Sequence, residues 1–222
     1  MSSTGPQKAH VTKTSPANLE DTKFIKLEHI EYTDQDGNNR KWEMACRKTR
    51  NESGVDSVAM LAILHHPSRP LSTVIIEQYR PPIDKIVIEL PAGLIDPNED
   101  SSMTALRELN EETGYGKSFK KDAKPEENAG EAKVRTISPV IVSDPGMTNA
   151  NMHLVTIDVF LPEGKIEPPK ANLEPGEHIV QRVVELSKLY DVLLDYDKKG
   201  FAVDARLLNI AYGIVLTKDL GL

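Results

Sequence analysis

The chain carries 27 Lys and Arg against 34 Asp and Glu in 222 residues, a formal charge of −7. This length supports one substantial core, and the acidic balance argues against an affinity resting on phosphate backbones, so nucleic acid is not an expected partner. A single cysteine, Cys46, excludes an internal disulfide and a Cys-rich zinc site.

Residues 1–21 are low in hydrophobicity and contain two prolines, which predicts a disordered tail. Residues 22–50 read as an N-terminal strand region and 51–222 as the main body. Runs rich in β-formers predict strands at 24–32, 41–47, 55–65, 73–79 and 86–90, with D-Q-D-G-N at 34–38 as a hairpin turn. Further strands are expected at 134–142, 152–160 and 178–185, and helices at 101–113, 186–194 and 203–216. This mixed α+β order lacks the regular alternation of βαβ units. The charged stretch at 116–133, with its Gly and Pro, reads as a flexible surface insertion. No run approaches the ~20 apolar residues of a membrane-spanning helix, so no membrane association is expected. A cytoplasmic protein follows, a nuclear or mitochondrial pool remaining open.

The informative segment is G-L-I-D-P-N-E-D-S-S-M-T-A-L-R-E-L-N-E-E-T-G-Y, from Gly93 to Tyr115. Ser101 or Ser102 is the expected helix cap, Asp100 favours the positive end, and Gly114 supplies a left-handed stop. Glu108 and Glu112 are four apart and share a face, with Glu111 beside them. Met103, Leu106 and Leu109 offer an apolar stripe to anchor the helix, so the acids are expected to project away from the core. Like charges at this spacing are destabilising by about 0.2–0.5 kcal/mol per pair, and hard cations with oxygen ligands reverse that sign. Mg²⁺ or Mn²⁺ is the expected occupant. Alone, Glu-Leu-Asn-Glu-Glu reads more simply as a solvated acidic face.

The larger frame changes that reading. Gly93, Glu99, Arg107-Glu108, Leu109, Glu111-Glu112 and Gly114 stand at the intervals of the Nudix box, and the segment resembles that box at every fixed position. Tyr115, where the family usually has an aliphatic residue, is a mild departure. The likeness extends to I-E-Q-Y-R-P-P (76–82), I-E-L-P-A-G-L-I-D (88–96), K-W-E-M-A-C-R (41–47) and D-P-G-M-T-N (144–149), which resemble the ADP-ribose and ADP-sugar pyrophosphatase branch.

This resemblance implies a Nudix fold, an α/β/α sandwich with a mixed sheet, plus an N-terminal antiparallel β-region for dimerisation and adenine binding. It implies hydrolysis of ADP-ribose to AMP and ribose 5-phosphate with two to three Mg²⁺ ions per site. Glu108 and Glu112 would be metal ligands and catalytic, with Glu111 and the Ala92 carbonyl as further ligands. Arg107 would orient the acids, and Gly93 would let the loop approach the metal closely. Trp42 would stack on adenine, Glu43 would accept from its amine, and Arg47 and Arg80 would hold phosphates or base. The alternatives are Trp42 as a core residue and Arg80 as a surface cation. Phe24 and Leu94 complete the implied substrate contacts, Phe24 standing where relatives often carry a larger Trp. Asp144 would touch the terminal ribose or simply cap its loop. Pro145 resembles the proline that marks ADP-ribose hydrolases, displaced by the stretch at 116–133.

Glu177, in L-E-P-G-E-H at 173–178, resembles the loop Glu that the family brings over the metals as ligand and base, with Glu174 the competitor. His65, His66, His153 and Asp158 lack ligand spacing and a nearby nucleophile, so neither a metal site nor a triad is read there. The resemblance also implies a homodimer that exchanges its N-terminal strands. Other Nudix substrates, a non-catalytic nucleotide sensor and an RNA-decapping role are the alternatives. The intact acids oppose the sensor, and the negative charge opposes decapping.

Overall fold

The computed structural model describes residues 9–119, 126–164 and 167–221. Strands β1 (Ile25–Thr33) and β2 (Asn39–Arg47) pair antiparallel in a two-stranded sheet of their own. The expected turn closes them: Asp34 N–H donates to Asn38 O at 2.9 Å and Gly37 N–H to Asp34 O at 3.0 Å.

The main sheet is mixed. Its path runs from β11 (Ala202–Val203) through β5 (Lys85–Glu89), β4 (Arg69–Arg80), β3 (Ser57–His66) and β9 (Asn151–Phe160) to β7 (Glu131–Ile137). Off this path, β10 (Ile179–Glu185) pairs with β4, β6 (Ala92–Leu94) with β3, and β8 (Ile141–Val142) with β9. Strand β3 explains why both faces of the sheet are covered. Its run V-A-M-L-A-I-L is apolar without alternation, as in a strand buried on both sides.

Val58, Met60, Ala62 and Leu64 pack with Ala105 and Leu109 of helix α1 (Ser101–Thr113). Ala59 and Leu61 turn to the opposite face, against Leu189 and Leu193 of α2 (Leu189–Lys198) and Leu207 of α3 (Ala205–Leu220). Each fully buried Leu or Val contributes about 1.5–3 kcal/mol. The α/β/α sandwich with a separate N-terminal hairpin is therefore present as expected.

Several details differ from the sequence reading. The strand expected at 134–142 is two strands, β7 and β8, interrupted where Ser138 N–H turns to Leu154 O and Pro139 has no N–H to offer. The helix expected at 186–194 begins with a 3₁₀ turn, Leu186–Lys188. Of the N-terminal tail, residues 1–8 lie outside the described residues. Leu19–Asp21 forms a 3₁₀ turn, and Val11 N–H donates to Asp84 Oδ1 at 2.9 Å. Residues 120–125 of the expected insertion likewise lie outside the described residues. Its end is ordered into the sheet, since 131–133 begin β7 and Gly116 N–H donates to Ala129 O at 2.8 Å. Among the described residues no helix is long and apolar enough to cross a membrane.

Candidate active site

Helix α1 spans the expected residues, but Asp100 rather than Ser101 or Ser102 caps it, its Oδ1 accepting from Met103 N–H at 2.8 Å. Gly114 ends it with φ 75°. The buried stripe is Ala105 and Leu109 with Thr104 and Thr113, while Met103 is 47% exposed. That rotation corrects the expectation that the acids project into solvent. Strand β6, too short to be read from sequence, lies over the acidic face and leaves Glu112 only 4% exposed.

The contacts there are specific. Ala92 N–H donates to Glu112 Oε2 at 2.9 Å. A Cβ built on Gly93 would overlap the Glu108 carboxyl group, so only glycine allows this approach. Arg107 organises the rest. Its Nε and Nη2 donate to the two oxygens of Glu99 at 2.8 Å each, and its Nη1 reaches Glu108 Oε1 at 2.8 Å and Glu111 Oε2 at 2.9 Å. Thr104 Oγ1 donates to Glu99 Oε2 at 2.8 Å, locking that carboxylate.

Burial pushes Glu108 up to about 7, against the lowering pull of Arg107, with Glu111 and Glu177 adding repulsion. Burial also raises Glu112 well above the usual carboxylate range, with Glu108, Glu177 and Glu89 adding to it against the Ala92 N–H. Glu99 is lowered by its bonds to Arg107. Gly93→Ala is expected to displace Glu108 and lower turnover by about 10²-fold with the protein still folded, checked by initial rates beside circular dichroism.

Glu177 stands close enough for its charge to add to the raising of Glu108 and Glu112. It lines a cavity of about 510 Å³ with Gln78, Tyr79, Pro81 and His178. Its carboxylate is folded back on its own loop, Oε2 accepting from Glu174 N–H at 2.9 Å. Arg80 is no loose surface cation: its Nε donates at 2.7 Å to buried Glu89, the same acid that raises Glu112. Leu94 is partly exposed beside these groups, and its carbonyl lies 3.4 Å from Arg107 Nη2.

The remaining residues form a second group. Trp42 does not fill the core; it is 50% exposed, and its Nε1–H donates to Gly146 O at 2.9 Å. Thr148 Oγ1 donates to Ala45 O at 2.8 Å, so β2 carries the 144–149 loop beside it. The Asp144 carbonyl closes that loop, accepting from Thr148 N–H at 3.0 Å. Phe24 and Glu43 are exposed on the hairpin, and Arg47 lines a separate cavity of about 570 Å³ with Lys26, Arg50 and Asn149.

A pair that sequence reasoning missed fixes this region. Arg50 donates to both oxygens of fully buried Asp56, at 2.8 and 2.7 Å, and to Asn149 O at 2.6 Å. Asp56 Oδ2 also accepts from Asn151 N–H at 3.0 Å. Arg50 and Asp56 are six positions apart, but the Asn149 and Asn151 contacts that tie them to the loop lie nearly a hundred positions further on and leave no local signal. His65 meets Asp158 Oδ1 at 2.6 Å, and Arg135 grips the same carboxylate.

A mixed sheet between helices carries one helix whose acids, Glu108, Glu111 and Glu112, gather under a short glycine-bearing strand. The NUDIX domain model matches residues 56–201. The chain is 39% identical over 211 residues to "ADP-ribose pyrophosphatase" of Saccharomyces cerevisiae, covering 95% of this chain and 83% of that protein. It is 38% identical over 208 residues to "Uncharacterized Nudix hydrolase P35G2.12" of Schizosaccharomyces pombe, covering 94% of each. It is 31% identical over 207 residues to "ADP-sugar pyrophosphatase" of Mus musculus, covering 91% of this chain and 86% of that protein. A solved structure described as "Crystal structure of ADP compounds hydrolase" superposes with TM-score 0.57 at 18% identity over 96% of this chain and 92% of that one, which speaks to the fold. The chain belongs to the Nudix family of hydrolases.

Nudix hydrolases generally need divalent metal ions. Among the described residues no three His, Cys, Asp or Glu side chains converge as a preformed cage. The donor set nevertheless fits: Arg107 Nη1 already places positive charge between Glu108 and Glu111, and a cation beside Glu108 and Glu112 would offset the burial of two carboxylates.

Proposed function

We propose that this enzyme hydrolyses the diphosphate of ADP-ribose, and of other ADP-sugars, to AMP and ribose 5-phosphate or the corresponding sugar phosphate. The observation that carries the reading is the pairing of buried Glu112 with half-buried Glu108 under Ala92 and Gly93, with the charge of Glu177 acting on both. The names of the yeast and mouse relatives support the substrate class. Glu108, Glu111, Glu112 and the Ala92 carbonyl would hold two to three Mg²⁺ ions, with Glu177 joining them when its loop engages. Bound Mg²⁺ would neutralise the phosphate oxygens and lower the pKa of bound water.

The side chains do the rest. Glu177 takes the proton of the attacking water, Arg107 keeps Glu108 and Glu111 aligned, and Arg80 and Arg47 hold the phosphates. Trp42 stacks on adenine, Glu43 accepts from its amine, Phe24 covers the other face with a smaller ring, and Leu94 and Asp144 meet the ribose end. Ile25 and Leu27 are exposed on the face of the hairpin opposite Trp42, an apolar surface suited to a second copy of the chain. We read it as the exchanged strand region of a homodimer that brings Arg47 to the partner's site.

The test is AMP or GMP release from ADP-ribose, ADP-glucose, ADP-mannose and GDP-mannose. ADP-sugars should lead, ADP-ribose first; preference for GDP-mannose would overturn the adenine pocket. Trp42→Ala is expected to raise KM for ADP-ribose roughly tenfold or more, from the ~1–3 kcal/mol of a lost base stack, with kcat nearly unchanged.

A further inference from the structure

Asn110 stands between Leu109 and the acids Glu111-Glu112, and it is buried, 3% exposed. Its Nδ2 donates to the carbonyls of Gly114 at 3.2 Å, Tyr115 at 3.4 Å and Gly116 at 3.1 Å, groups beyond the end of α1 that burial would otherwise leave short of donors. That orientation turns Oδ1 to accept from Asn172 Nδ2 at 3.2 Å. Asn172 N–H in turn donates to the Glu111 carbonyl at 2.7 Å, one of the last open acceptors of the helix.

The segment just before Asn172 is held at the same place. A Cβ on Gly114 would overlap the Lys170 carbonyl, and Gln181 Nε2 donates to Pro169 O at 2.5 Å. On the outer side Glu126 Oε2 accepts from Lys170 N–H at 3.1 Å, and Asn128 Nδ2 donates to Glu167 O at 2.8 Å. Residues 169–172 therefore run across the C-terminal end of α1, five positions before Glu177 in the chain.

We propose that Asn110 and Asn172 are a positioning pair, which ties the loop of Glu177 to the helix of Glu108 and Glu112. The proposal rests on reading Glu177 as the base. Neither amide is among the residues assigned to metal or substrate, so their effect should fall on kcat and spare KM. Asn110→Ala also strips three carbonyls of their donor and mixes stability with rate. Asn172→Ala keeps its backbone bond to Glu111 and is the cleaner variant.

The experiment measures kcat and KM with saturating Mg²⁺ on the fastest ADP-sugar, for Asn172→Ala, Glu177→Gln and the double variant, in the full chain. Asn172→Ala is expected to lower kcat ~10-fold or more with KM within about twofold. The double variant should be no slower than Glu177→Gln alone, because a positioning effect has nothing left to position. An unchanged kcat in Asn172→Ala, or a loss that multiplies in full in the double variant, would overturn the pair while Glu177→Gln stays crippled. Near-normal turnover in Glu177→Gln would overturn the base itself, and with it this role.

Discussion

Glu112→Gln is expected to lower kcat/KM for AMP release by on the order of 10³-fold without loosening the fold, from the several kcal/mol a metal ligand supplies to charge stabilisation. The two halves of that expectation come from different atoms. Glutamine keeps a side-chain carbonyl oxygen to accept the Ala92 N–H that Glu112 accepts at 2.9 Å. It discards a carboxylate that is 4% exposed and repelled by Glu108, Glu177 and Glu89. The unfolding midpoint should therefore stay level or rise while activity collapses. Thermal unfolding beside initial rates checks both, and a rate within tenfold of wild type would remove Glu112 from the metal site.

Glu177→Gln should lower kcat by ~10²–10⁴-fold, the usual contribution of a positioned base. Its loop is exposed, so stability should move little, and Mg²⁺ binding at Glu108 and Glu112 should weaken only by the ligand that Glu177 adds on engagement. In the structure Glu177 folds back onto the Glu174 N–H, so engagement requires that bond to open. Glu174 contributes to that resting turn through its backbone, which a side-chain change leaves in place. Glu174→Gln should thus retain most of the activity. Pre-steady-state and steady-state rates on the two variants separate them, and a Glu174 variant slower than the Glu177 one would reverse the assignment.

Much of this was legible in the residues, and what was hidden shares a cause. The D-Q-D-G-N turn, the bounds of α1 and its Gly114 stop are written in neighbouring residues, and all three are present. That Glu108, Glu111 and Glu112 share one neighbourhood is equally plain from their intervals. Their burial was not, because it depends on β6, three residues whose strand character exists only through pairing with Ser57–Ala59 of β3. The same holds for the cap: Ser101, Ser102 and Asp100 are all competent, and the choice follows from where the chain enters the helix.

Reading 116–133 as a free loop failed at its end for a related reason. Glu126 and Asn128 look solvated in sequence, yet they bond backbone some forty positions away. For Trp42, open between core and pocket in sequence, only its exposure and its bond to Gly146 exclude the core.

The most direct measurement is product analysis of ADP-ribose incubated with the purified chain in Mg²⁺, in EDTA, and in EDTA followed by excess Mg²⁺. Equimolar AMP and ribose 5-phosphate, lost with chelator and restored with metal, is the expected result. Cleavage that ignores the chelator would contradict the acidic helix as a metal site, and binding without turnover in Mg²⁺ would contradict catalysis and leave a nucleotide sensor.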